Sequence, residues 1–116
     1  MGHVNHAVYF TYFEQCRLTC WRELTGKPNP FTRVIIARAE CDYRSQAVFG
    51  DELEVRMAVG RIGRSSFDLL YEIAQAATGQ KVADGKTVMV SFDYTTVRST
   101  PLSEESRLLL ERLGGV

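Results

Sequence analysis

The stretch from Asn5 to Leu24, NHAVYFTYFEQCRLTCWREL, is apolar on too many sides to lie on a protein surface. Ala7, Val8, Tyr9, Phe10, Tyr12, Phe13, Cys16, Cys20, Trp21 and Leu24 cover nearly the whole circumference of a helix over its first turns. Such a helix has to be surrounded by other parts of the fold. Its ends are legible. Asn5 is a good N-cap, because its short side chain accepts hydrogen bonds from free amides of the first turn. Gly26 is a stop, and Pro28 bars continuation.

The rest of the chain supplies the surroundings. After GKPNPF, the segment TRVIIARAECDYRSQAVF is rich in β-branched and aromatic residues and reads as a long strand. Gly50-Asp51 punctuates it. In ELEVRMAVGRI, Leu53, Val55, Met57 and Val59 alternate with Glu54, Arg56 and Ala58, the pattern of a half-buried antiparallel strand. GRSS turns the chain into the strand FDLLYEIAQA, and ATGQ turns it again. KVADGKTVMVSFDYTTVR reads as a last strand, with an irregularity expected at Asp84-Gly85. TPLSEESRLLLERLGG closes as a short amphipathic helix, with Leu102, Leu108, Leu109 and Leu113 as its apolar face and Gly114 as its stop. One buried helix, four long strands and a terminal helix make an α+β fold in a single domain spanning 1–116. A sheet wrapped around the helix buries it; the sheet edges and outer face remain to be covered, which argues for a homo-oligomer.

Charge and cysteine usage narrow the class. Fourteen basic and 14 acidic residues cancel, so neither nucleic acid nor a polybasic membrane contact is expected, and self-association is unopposed by net charge. An odd count of 3 cysteines without a secretory signal favours free thiols in a reducing, cytoplasmic setting. No apolar run approaches the ~18–20 residues of a membrane span. The opening lacks the basic region of a signal peptide. There is no internal repeat.

Several short patterns have two readings. His3 and His6, three apart, could ligate zinc, yet no third ligand stands at suitable spacing; positioning at the helix entry is the simpler reading, and no metal is expected. Cys16 and Cys20 share a helix face and read as buried small hydrophobes, against a redox or metal pair. GRIGRSS resembles a phosphate-binding glycine loop but lacks the strand-loop-helix context and the Gly-Lys-Ser/Thr ending, so a hairpin is expected. Asp51 reads as a solvated turn carboxylate.

Element order and motif together resemble one family. Gly2, His3, Val4, Asn5, Ala7 and Tyr9 match the D-x-x-G-H-V-N-x-A-x-Y helix entry of hotdog-fold acyl-CoA thioesterases, in the branch of 4-hydroxybenzoyl-CoA thioesterase. YFEQCR looks like the family's Y-F-E-x-x-R, and CDYRSQAVFGDELEV and GRSSFDLLYEI resemble its later strands. The resemblance implies a homodimer or homotetramer that hydrolyses acyl-CoA without a cofactor. It also implies a first strand and a catalytic aspartate three residues before the motif glycine, both expected ahead of Met1. Gln46 stands where relatives often carry proline.

By the same resemblance, the oxyanion of the reacting carbonyl is held at the amide of His6, with Ala7 beside it. Free amides at a helix N-terminus suit that task, and removing one such donor is commonly worth ~3–4 kcal/mol. Glu14, two turns on, is the carboxylate left in the chain; in another branch of the fold a glutamate at this offset acts across the dimer interface. Pairing with Arg17 or a neighbouring strand is its structural alternative. His3, Asn5 and Tyr9 are expected beside the substrate, Tyr9 and Tyr12 as walls of an acyl pocket. Arg61, Arg64, Ser65 and Ser66 are expected on the CoA phosphates, from the partner subunit. The rival reading is a non-catalytic hotdog module that binds acyl-CoA or mediates assembly. A dehydratase or isomerase would need a paired His and acidic residue in another arrangement.

Overall fold

Helix α1 (His6–Thr25) lies across a sheet built from β1 (Val34–Tyr43), β2 (Leu53–Ile62), β3 (Ser66–Gln75) and β4 (Lys81–Asp93), with a short β5 (Arg98–Ser99) and helix α2 (Glu104–Gly114) completing the chain. This computed structural model describes residues 6–26, 33–45 and 50–114, and for 6, 7, 24, 113 and 114 the backbone alone. His3, the cap expected at Asn5, Pro28 and Gln46 lie outside the described residues. The strands are antiparallel in the order β1-β4-β3-β2, and β5 pairs with β4. The fold is α+β, a sheet curled around its long helix, as expected.

The helix crosses the strands rather than running along them. Tyr9 packs on Tyr43 of β1, ring centroids 5.5 Å apart. Phe13 stacks on Tyr71 of β3 at 4.4 Å. The Cys16 thiol lies 3.8 Å from the Val55 carbonyl of β2. At its end Gly26, at φ 77°, donates its amide to the Arg22 carbonyl at 2.8 Å. Glycine is suited to this left-handed position.

Buried residues on α1 recur every fourth position: Tyr9, Phe13, Arg17 and Trp21. That spacing marks one helix face. The expectation of a helix enclosed on nearly all sides is corrected here, because Phe10 and Leu18 are 38% and 37% exposed. A four-strand layer covers one face of a helix and leaves the opposite one open.

From the sheet, Phe67, Leu69, Tyr71 and Ile73 of β3 are buried, each separated by one residue. β2 alternates half-buried and exposed as read from its sequence. The irregularity expected at Asp84-Gly85 is absent: Gly85 pairs in register with Cys41 and Tyr71. The register shifts lie at Ile36/Arg38, Val59/Ile62 and Ile73/Ala74. Gly85 is glycine for another reason. A Cβ there would meet the Phe13 ring at 2.5 Å and the Glu40 carbonyl oxygen at 2.8 Å.

The last expected strand also ends early. Asp93 accepts the amides of Thr95 and Thr96 at 2.8 and 3.4 Å, Val97 takes φ 56°, and β5 folds back on β4. α2 is capped by Ser103, whose hydroxyl accepts the Ser106 amide at 3.1 Å. Among its described side chains the buried one is Leu110, at 0% exposure, whereas Leu108 is 54% exposed and not part of the apolar face. In this rotation the Arg107 guanidinium donates to the Gly63 carbonyl at 2.9 Å.

The outer sheet face carries a lattice of charges. Arg44 binds Asp84 at 3.1 Å, and Lys81 lies 3.6 Å from Asp84 and 3.8 Å from Glu72. The hydrogen bond from Arg44, with the charges of Arg44 and Lys81, holds the Asp84 carboxyl below its ordinary 3.8. A carboxyl whose folded pKa is depressed stabilises the fold above the unfolded value and loses that contribution as pH falls through the folded one. Urea denaturation of Asp84→Asn should therefore show a lower midpoint than wild type at neutral pH. The gap should close below pH ~4.

Candidate active site on the central helix

His6 and Ala7 open α1, so their amides belong to the first turn, whose N–H groups have no partner within the helix. Glu14 follows eight residues later, about 12 Å along the axis at 1.5 Å per residue. That separation is too long for one thioester carbonyl to touch both groups of a single chain. Glu14 is exposed and makes no ion pair among the described residues.

The alternative pairing of Glu14 with Arg17 does not form. The Arg17 side chain turns under the helix and donates from Nη1 to the Tyr71 hydroxyl at 3.1 Å. Tyr71 in turn lies 2.9 Å from the Thr87 hydroxyl. By accepting from Arg17, the Tyr71 oxygen leaves its own proton free for Thr87. Glu14 and Arg17 instead line one cleft of about 230 Å³, walled by Trp21, Val34, Phe67 and Met89.

Tyr9 is 2% exposed, packed on Tyr12 and Tyr43, and belongs to the core of the chain. Arg61 and Arg64 are exposed, and Ser65 and Ser66 half-buried, at the β2–β3 hairpin. The turn is closed by the Gly63 amide on the Ser66 carbonyl at 2.7 Å. It is a hairpin, as expected for GRIGRSS. It stands far from the start of α1. Tyr43, against which Tyr9 packs, is level with Ile73 across the sheet. From Ile73 back to Ser66 is about 23 Å along a strand. One chain therefore does not bring the hairpin arginines to the first turn of α1.

On the other flank of α1, a groove of about 560 Å³ runs between the helix and β2, lined by Tyr12, Cys16, Cys20, Asp51, Leu53 and Val55 among others. Asp51 is half-buried here and accepts from the Gln75 amide nitrogen at 3.3 Å, so it is more than a solvated turn residue. Nothing in its local sequence signals that. The thiols of Cys16 and Cys20 lie 3.9 Å apart. Burial, with Cys20 beside it, pushes the Cys16 thiol up to about 12. Only the thiolate is nucleophilic. Cys16 should thus react with thiol reagents at neutral pH far more slowly than a free cysteine. Peptide mapping after brief alkylation checks this; full modification of Cys16 at the rate of glutathione would contradict it. Among the described residues no three of His, Cys, Asp and Glu stand together as a metal site, and no helix is long and apolar enough to cross a membrane.

The family model of the thioesterase-like superfamily matches residues 1–113. The chain belongs to the thioesterase-like superfamily. Solved thioesterases share its architecture. A thioesterase from Thermus thermophilus, complexed with coenzyme A and zinc, is 30% identical at TM-score 0.83, over 99% of this chain and 84% of that one. A predicted thioesterase from Bacillus stearothermophilus is 31% identical at TM-score 0.82, over 97% and 84%. The uncharacterised protein YsmA of Bacillus subtilis strain 168 is 27% identical over 91% of this chain and 72% of its own length. With these thioesterases the chain shares the α+β hotdog fold, α1 being the helix around which the sheet wraps.

Proposed function

We propose that this chain hydrolyses acyl-CoA thioesters in a homodimer or homotetramer. The observation that carries the reading is Glu14, a carboxylate without an ion pair among the described residues, on the helix of a thioesterase-superfamily chain. The thioester carbonyl lies at the first turn of α1, its developing negative charge held by the amides of His6 and Ala7. Glu14 of a second copy activates the attacking water as general base, because about 12 Å separates the two groups within one chain. His3 and Asn5 flank the substrate at the helix entry, and Tyr9 and Tyr12 shape the wall beneath. Arg61 and Arg64, with Ser65 and Ser66, take the CoA phosphates, since guanidinium groups pair with phosphate in two-pronged fashion. That hairpin also serves the site of the neighbouring copy. Free thiols and a neutral net charge fit a cytoplasmic enzyme. No cofactor or metal enters the reaction.

Continuous thiol release from short, long and aromatic acyl-CoAs tests this. Turnover of at least one class is expected. If CoA binds but no thioester is cleaved, the chain is instead an acyl-CoA-binding or assembly module.

A further inference from the structure

We propose that the cleft beside Arg17 receives the far end of the acyl group, and that Arg17 selects short acyl groups ending in a carboxylate. The inference deepens the thioesterase reading above and rests on it for the word acyl.

Arg17 is 9% exposed, and one of its five donors is accounted for by Tyr71. No carboxylate lies within ion-pair distance of it among the described residues. The remaining segments contain neither Asp nor Glu. Among the described residues this buried charge is held only by a neutral hydroxyl, which compensates it poorly. Among the described residues no buried side-chain nitrogen or oxygen lacks a hydrogen-bond partner. The other guanidinium donors therefore have an opening, and Arg17 lines the cleft of about 230 Å³.

The shape of that cleft fits one kind of occupant. Leu18, Trp21, Val34, Ile36, Phe67 and Met89 give walls for methylene groups. Its volume is below the roughly 300–1,000 Å³ of sites for drug-sized ligands, so the occupant is short. Glu14 is the other charged group on the cleft and is exposed, at its mouth. Glu14 and Arg17 are neighbours one helical turn apart. An acyl group entering past Glu14 thus meets apolar walls and then a guanidinium. A carboxylate there gains charge-assisted hydrogen bonds. A methyl end displaces water from the guanidinium and returns nothing, so discrimination runs against alkyl groups.

The chain has 1 tryptophan, Trp21, and it lines this cleft, so its emission reports occupancy without catalysis. The experiment titrates the protein with glutaryl-CoA and with 5-methylhexanoyl-CoA, which replaces the carboxylate by two methyl groups. Thiol release is followed in parallel. Glutaryl-CoA is expected to bind at least about tenfold more tightly. Arg17→Gln should abolish the preference, and Arg17→Lys should retain part of it with the fold intact by circular dichroism. Ile36→Trp, at a position 47% exposed on the cleft wall, should block both ligands without needing Arg17 to change. Equal or tighter binding of the branched alkyl thioester by the wild type overturns the inference, as does a preference that survives Arg17→Gln. A selective change in Trp21 emission without thiol release upholds the cleft and sinks the hydrolase reading. Equal cleavage of both thioesters, indifferent to Arg17, does the reverse.

Discussion

Glu14→Gln is expected to lower kcat for acyl-CoA hydrolysis by about 10²–10⁴-fold, with KM and thermal unfolding close to wild type. The size follows from the role of general base, which glutamine cannot fill although it keeps the shape and the hydrogen-bonding reach. The small effect on stability follows from the surroundings of Glu14. It is exposed and has no ion pair among the described residues, so its neutralisation removes no packed contact. Surface substitutions of that kind stay within about 0.5 kcal/mol. Steady-state kinetics with a melting curve on the same preparation checks both halves. An unchanged kcat would place Glu14 outside the chemistry.

Gly85→Ala should have the largest effect on folding. The added methyl group would sit 2.5 and 2.6 Å from the Phe13 ring and 2.8 Å from the Glu40 carbonyl oxygen. The ring is pinned by stacking on Tyr71, and the oxygen belongs to the strand paired with Gly85, so neither yields readily. Overpacking a core typically costs 1–3 kcal/mol, and the upper end, about 3 kcal/mol, is expected here. For a chain of this length that is a melting point roughly 10–15 °C lower. Coupling Gly85→Ala with Phe13→Leu in a double-mutant cycle should recover part of the loss, because the two residues share one contact. Full additivity would show that the helix does not press on the sheet at this point.

Gly85 also shows what the sequence leaves hidden. A glycine inside a strand reads locally as a break, and the ring that requires it comes from a helix near the other end of the chain. The alternation in β2 was legible because the strand has one face on the core, which imposes a period of two. The row Leu108-Leu109-Leu110 was not, because three consecutive leucines fit several helix rotations. The one adopted buries Leu110 and brings Arg107 against the Gly63 carbonyl. Likewise, the apolar belt of α1 announced burial under a sheet but not which helix face stays open. Phe10 and Leu18 stay exposed in the single chain, a surface a second copy would cover. The candidate catalytic groups, His6, Ala7 and Glu14, rest on the family resemblance of the helix-entry motif and remain proposals. The buried Arg17 and its cleft were not legible, since a positive residue between apolar ones in a helix gives no sign of which way it turns.

The most direct test of the account mixes two inactive variants. His6→Pro removes the amide assigned to the oxyanion, at a first-turn position where proline is tolerated. Glu14→Gln removes the base. If each site takes its amide from one copy and its carboxylate from another, subunits exchanged between the two homomers restore one intact site per mixed dimer. Activity should then return to about a quarter of wild type in a statistical mixture of two-fold dimers. No recovery, in a mixture whose subunit exchange is verified by mass spectrometry, would contradict a shared thioesterase site on α1.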